Sequence, residues 1–222
     1  MRSQKQLFFN LLALPVFCLG SAVAARADLI TISPGGTVVN FSQFSGPIPT
    51  FYSGTPVQVG GLAGENITLS STVFGTMIGD GLDPYGFLTN GQWNSGRSGF
   101  TGLNTSTGTM TFRFNSGPVS SVAGFLNYAP GTGPNVIISA LDINGNILES
   151  YDISLLAPII TTGPFPGQFN AGAFRGISRA TADIFAFTVS NQFVALDDLT
   201  FSRQVTAIPE PATMLLLGTG LA

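Results

Sequence analysis

From Thr109 onward the chain falls into short apolar or alternating runs, and Gly, Pro, Ser, Thr or Asn break them about every ten residues. Thr111-Phe112-Arg113-Phe114 is the cleanest case. In an extended chain, successive side chains point to opposite faces. Phe112 and Phe114 are therefore expected on a buried face and Arg113 on a solvated one. Two apolar strands follow, over 119–128 and 135–142. Asp142-Ile143-Asn144-Gly145-Asn146 then supplies turn chemistry, because Asn-Gly tolerates the left-handed backbone of a tight hairpin. The run 147–152 returns as its partner strand. Runs 184–189 and 193–201 flank Ser190-Asn191-Gln192 and predict a closing hairpin. No stretch between Asp28 and Thr206 carries a helical period, and the runs between breakers favour Phe, Val, Ile and Thr, which suit a pleated sheet. The predicted fold is all-β: an antiparallel β-sandwich of jelly-roll type.

The two ends break this pattern. At the N-terminus, Arg2 and Lys5 precede an apolar stretch over 7–23, and Ala25-Arg26-Ala27 has the small residues of an A-x-A cleavage site. That is the layout of a cleaved secretory signal helix, with Asp28 as the first residue of the mature chain. At the other end, Pro209-Glu210-Pro211 stands directly ahead of a short apolar tail. Glu210 cannot sit in a helix interior there, because Pro211 biases it toward an extended or polyproline conformation and Pro209 fixes the chain before it. Three segments result: a signal over 1–27, one β-sandwich domain over 28–206 and a sorting segment over 207–222.

This tail resembles the PEP-CTERM sorting signal of exported bacterial proteins, in which a Pro-Glu-Pro motif precedes a membrane helix and a basic cluster. The resemblance implies delivery to the cell envelope or surface. It also implies an exosortase-type membrane protease as partner and transient membrane association through the tail. Eleven residues follow Pro211, whereas a bilayer span takes about 20, so the natural chain is expected to continue past Ala222. The stretch from Thr109 to Phe201 is also similar to a β-sandwich domain common in PEP-CTERM proteins. The likeness rests on the Phe-x-Phe strand, Val122-Ala123-Gly124-Phe125, Ala140-Leu141-Asp142-x-x-Gly145, Phe174-Arg175-Gly176-Ile177 and Ala195-Leu196-Asp197-Asp198-Leu199-Thr200-Phe201. Such signatures are shared with carbohydrate-binding jelly rolls and describe architecture, not activity.

Removing the signal changes the available chemistry. Cys18 and Lys5, the only cysteine and lysine, leave with it. Arg97, Arg113, Arg175, Arg179 and Arg203 then face 11 Asp and Glu, a surplus of six negative charges. Such a surface repels nucleic acid. With no thiol, burial and backbone pairing must hold the mature domain together. The chain has no histidine. Serine–histidine and cysteine–histidine catalysis, Schiff-base chemistry, thiolate or imidazole zinc sites and lysine-dependent phosphate loops are therefore excluded for the mature protein. Paired carboxylates of the glycosidase type are what remain for acid–base work, and the expectation is a non-enzymatic protein.

Two places carry candidate binding chemistry. On a regular strand, Asp197 and Asp198 would point to opposite faces, leaving at least one carboxylate on an apolar face, where an unpaired charge is costly. A calcium ion held by oxygen ligands would resolve that cost. So would backbone N–H donors, or pairing with Arg175 or Arg203. The second place is the Gly-, Asn- and Ser-rich stretch over 80–107, which holds the sole tryptophan, Trp93, with Tyr85 nearby. A loop of that length is a candidate for function. Aromatic rings there could stack on an extracellular polysaccharide, with Arg97 as a hydrogen-bonding neighbour. Alternatively, Trp93 plugs the sandwich. The primary expectation is an exported surface or matrix protein with a structural or adhesive role. A carbohydrate-binding module, with or without calcium, is the alternative, and a glycosidase the third reading.

Overall fold

The alternation is realised as two stacked antiparallel sheets. The computed structural model describes residues 27–44, 48–51, 55–80, 90, 93, 99–157 and 171–203. In chain order the strands are β1 (Asp28–Ile30), β2 (Thr37–Val39), β3 (Ile48–Phe51), β4 (Val57–Gln58), β5 (Ile67–Ser71), β6 (Thr76–Asp80) and β7 (Gly99–Leu103). They continue with β8 (Thr109–Phe114), β9 (Ser121–Asn127), β10 (Ile137–Leu141), β11 (Ile147–Asp152), β12 (Ala173–Ser178), β13 (Ala186–Ser190) and β14 (Ala195–Ser202). One short 3₁₀ turn, Gly61–Ala63, is the helical exception among the described residues.

The last eight strands wrap as a jelly roll. β7 pairs with β14, β8 with β13, β9 with β12 and β10 with β11, so the first of the eight meets the last and pairing proceeds inward. The eight-stranded sheet runs β1-β12-β9-β14-β7-β6-β3, with β2 also beside β14. The six-stranded sheet runs β11-β10-β13-β8-β5-β4. The N-terminal third, whose pattern pointed to nothing definite, thus supplies strands that extend both sheets outward.

Phe112 and Phe114 are buried and Arg113 is exposed, as the alternation requires. Phe114 on one sheet meets Phe201 on the other, ring centroids 5.1 Å apart. Val122, Leu126, Ile138, Phe187, Leu196 and Leu199 complete the inner layer around them. Each such side chain contributes roughly 1.5–3 kcal/mol by leaving water, which is how a thiol-free domain holds together. Gly176 shows how tightly the strands approach: a Cβ there would lie 2.2 Å from the Val122 carbonyl oxygen.

The β10–β11 hairpin forms as predicted, with the Asp142 carboxylate accepting the backbone N–H groups of Asn144 and Asn146. The closing hairpin does not form. β13 belongs to the six-stranded sheet and β14 to the eight-stranded one, so the connection crosses the sandwich. The cause is local. Asn191, Gln192 and Phe193 adopt left-handed backbones, with φ of 73°, 49° and 51°, a conformation that costs a non-glycine residue roughly 1–2 kcal/mol. The backbone N–H groups of these three residues donate to the carbonyls of Gly108, Ser106 and Thr105 in the β7–β8 connection. That connection crosses between the sheets as well.

Candidate functional site

Trp93 does not stand open to solvent. Its indole is 1% exposed and sits on the outer face of the eight-stranded sheet, with Met77, Phe100, Ala195 and Phe125. Alternation explains that face: Val122 and Leu126 of β9 point into the main core, so Phe125 between them points away from it. The indole meets Phe100 and Phe125 edge to face, with centroids 5.6 and 5.4 Å apart. Such aromatic pairs add to the stabilisation from burial itself. Asn90 lies buried nearby and donates from Nδ2 to the Phe193 carbonyl at 2.9 Å, tying this layer to the left-handed turn. Of the two roles expected for Trp93, a stacking platform or a plug, the buried ring fits the plug: it roofs a second, smaller core. Tyr85 and Arg97 lie outside the described residues, as do Ala25 and the sorting residues Pro209, Glu210 and Pro211.

Asp197 and Asp198 do not obey regular alternation either. Between the pairs Asp197–Phe125 and Thr200–Ala123, β14 has two residues where β9 has one. This is a bulge, and Asp198 takes a left-handed φ of 47° to make it. The bulge resets the phase of the strand. Leu196 faces the main core before it, and Leu199 and Phe201 face that core after it. It also marks a change of neighbour, because β7 pairs with Ala195 and Leu196 whereas β2 pairs with Leu199, Thr200 and Phe201.

Asp197 is only 2% exposed, and its Oδ1 accepts the Asp198 backbone N–H at 2.7 Å. A backbone donor thus meets the buried carboxylate. The two arginines considered as partners are engaged elsewhere: Arg175 donates to the carbonyls of Phe174 and Leu156, and Arg203 pairs with Glu65. Among the described residues no three carboxylates, thiols or imidazoles come together. Calcium takes six to eight oxygen ligands, so a site there would need oxygen donors beyond these two side chains.

A further feature has no counterpart in the pattern along the chain. A cleft of about 460 Å³ opens where β14 ends, lined by Pro34, Gly36, Glu65, Phe201 and Arg203 among others. Gly36 has φ of 112° and so close an approach that a Cβ would lie 2.3 Å from the Phe201 carbonyl oxygen. The partner of Gly36 lies about 165 residues away in sequence.

Several carboxylates are held ionised. Hydrogen bonds from the Asn146 side chain and neighbouring backbone lower Asp142, and those from Ser154 and Asn135 lower Asp152. For Asp183 burial pushes upward, but hydrogen bonds from Arg179 and Thr181 outweigh it and leave the carboxyl below its ordinary value. A glycosidase acid needs the opposite displacement. No family model, curated protein or solved structure matches this chain.

Proposed function

We propose that this chain is an exported bacterial protein whose jelly roll serves a structural or adhesive role at the cell surface or in its extracellular matrix. On this reading it crosses the membrane by its N-terminal signal and is sorted through Pro209-Glu210-Pro211, with an exosortase-type protease as processing partner. The observation that carries the reading is where the fold opens and closes. Among the described residues the first in a sheet is Asp28, directly after the expected cleavage site at Ala27, and β14 ends at Ser202, ahead of Pro209 in the sequence. Neither expected processing point lies within a described strand. A buried Trp93 and downward-shifted carboxylates give the carbohydrate-binding and glycosidase readings no added support.

The test is to express the full chain in a bacterium that carries the sorting protease and to follow it by fractionation and terminal sequencing. The expected product begins at Asp28, reaches the envelope or medium, and accumulates unprocessed at the membrane when Glu210 is changed to Ala. Recovery of the intact chain from the cytosol would overturn the reading. Glycan-array binding that is lost in Trp93→Ala or with a chelator would favour the carbohydrate-binding alternative.

A further inference from the structure

The outer edges of the two sheets come together at one flank of the sandwich. β1 is the edge of the eight-stranded sheet and β11 the edge of the six-stranded one. They touch through Tyr151, whose hydroxyl donates to the Ala27 carbonyl at 3.2 Å. Ala27 is the residue that leaves if the signal is cut at the expected site. The Asp28 nitrogen is bonded to that same carbonyl carbon, which places it within roughly 6 Å of the Tyr151 oxygen by standard peptide dimensions.

The charges at this flank are unbalanced. Burial raises the Tyr151 pKa first, and the carboxylates of Glu149 and Asp28 raise it further, so both acids face the hydroxyl. The nearby cation is Arg179 on the β12 side, which also senses Glu149. Its guanidinium is already committed to Asp183 through two hydrogen bonds of 2.6 and 2.8 Å. Among the described residues, Asp28, Glu149 and Asp183 thus stand against one arginine.

We propose that signal removal supplies the missing cation: the new α-ammonium of Asp28 takes the place of the Ala27 carbonyl beside Tyr151 and Glu149, locking the two sheet edges together. The inference rests on cleavage after Ala27. Hydrolysis there adds one water across the peptide bond. The Ala27 carbonyl departs as a carboxylate with the signal, and the Asp28 nitrogen becomes an ammonium. Tyr151 exchanges an acceptor for a donor and accepts through its hydroxyl oxygen, while the Glu149 carboxylate gains a charge-assisted partner. Processing then strengthens the fold it releases.

Composition makes the test selective. The mature chain has no lysine, so an amine-directed reagent has the α-amine as its target. The exported chain is collected and its first residue sequenced. It is then acetylated, which removes the charge, or reductively dimethylated, which keeps it. The expected result is that acetylation lowers the melting temperature by about 2 °C, that dimethylation does not, and that Glu149→Gln abolishes the difference. A first residue other than Asp28 overturns the cleavage reading and the lock together. An Asp28 start with acetylated and unmodified chains melting at the same temperature overturns the lock alone, as does an acetylation effect that persists in Glu149→Gln.

Discussion

Arg203 and Glu65, 138 positions apart, meet through two parallel hydrogen bonds, 2.9 Å from Nη1 to Oε1 and 3.0 Å from Nη2 to Oε2. Arg203 follows the end of β14 and Glu65 stands shortly before β5, so the pair fastens one sheet to the other. The guanidinium also lies 5.3 Å from the Phe201 ring centroid. Both side chains are partly exposed, which keeps such a pair modest despite its fork geometry. Glu65→Gln is expected to lower stability by about 1 kcal/mol. Arg203→Ala should lower it further, because the ring contact goes too. Urea unfolding midpoints measure both, and an Arg203→Ala midpoint equal to wild type would contradict the assignment.

The left-handed turn gives a second prediction. The Gln192 side chain donates to the Gly133 and Pro134 carbonyls at 3.2 and 2.9 Å while its backbone has φ of 49°. Gln192→Ala loses both bonds and keeps the strained backbone, at an expected cost of about 2 kcal/mol. Gln192→Gly loses the same bonds but relieves roughly 1 kcal/mol of strain. Stability should therefore rank wild type, then Gly, then Ala, reversing the usual order of alanine over glycine. Thermal melts of the three proteins decide it.

Tyr128 is fully buried, and its hydroxyl has no hydrogen-bond partner among the described residues. Burial first, and then the Asp152 charge, push its pKa up to about 12. Tyr128→Phe is expected to be neutral or to stabilise by about 1 kcal/mol, since an orphaned buried hydroxyl carries a desolvation cost. The unfolded chain ionises this phenol near pH 10. The folded state disfavours the phenolate, so stability is lost as pH climbs from that value toward 12. Denaturation followed across this window should show a shallower loss in Tyr128→Phe.

Acid acts through Asp183. Its carboxyl lies below its unfolded value because hydrogen bonds from Arg179 and Thr181 outweigh burial. The stability this contributes is present above the unfolded pKa, near 4, and is lost as pH falls through the lower folded value. Asp183→Asn should flatten the acid limb of the stability curve below about pH 4. An unchanged slope would show that the pair with Arg179 contributes no pH-linked stability.

The strands from Thr109 onward were legible because a half-buried strand shows a period of two, as in Phe112-Arg113-Phe114, and the strands β9 and β10 keep continuous apolar runs bounded by turn residues. The Asn-Gly hairpin was equally plain, since its turn is chosen by residues adjacent in the chain. Trp93 was ambiguous for a physical reason: an aromatic ring on a glycine-rich stretch fits a stacking platform and a roof alike, and what separates them is the presence of Phe100 and Phe125 beneath it.

Local pattern thus determined the sheet-forming character of this protein and the face that a regular strand such as β8 buries. Tertiary structure decided the rest. Whether 184–201 is a hairpin or a crossing depended on three left-handed residues held by the carbonyls of Thr105, Ser106 and Gly108. Which way Asp197 points depended on a two-against-one count opposite β9. These are contacts between segments far apart in the chain. Their free energy selects backbone states that adjacent residues alone would disfavour, so no reading of neighbours along the chain could have found them.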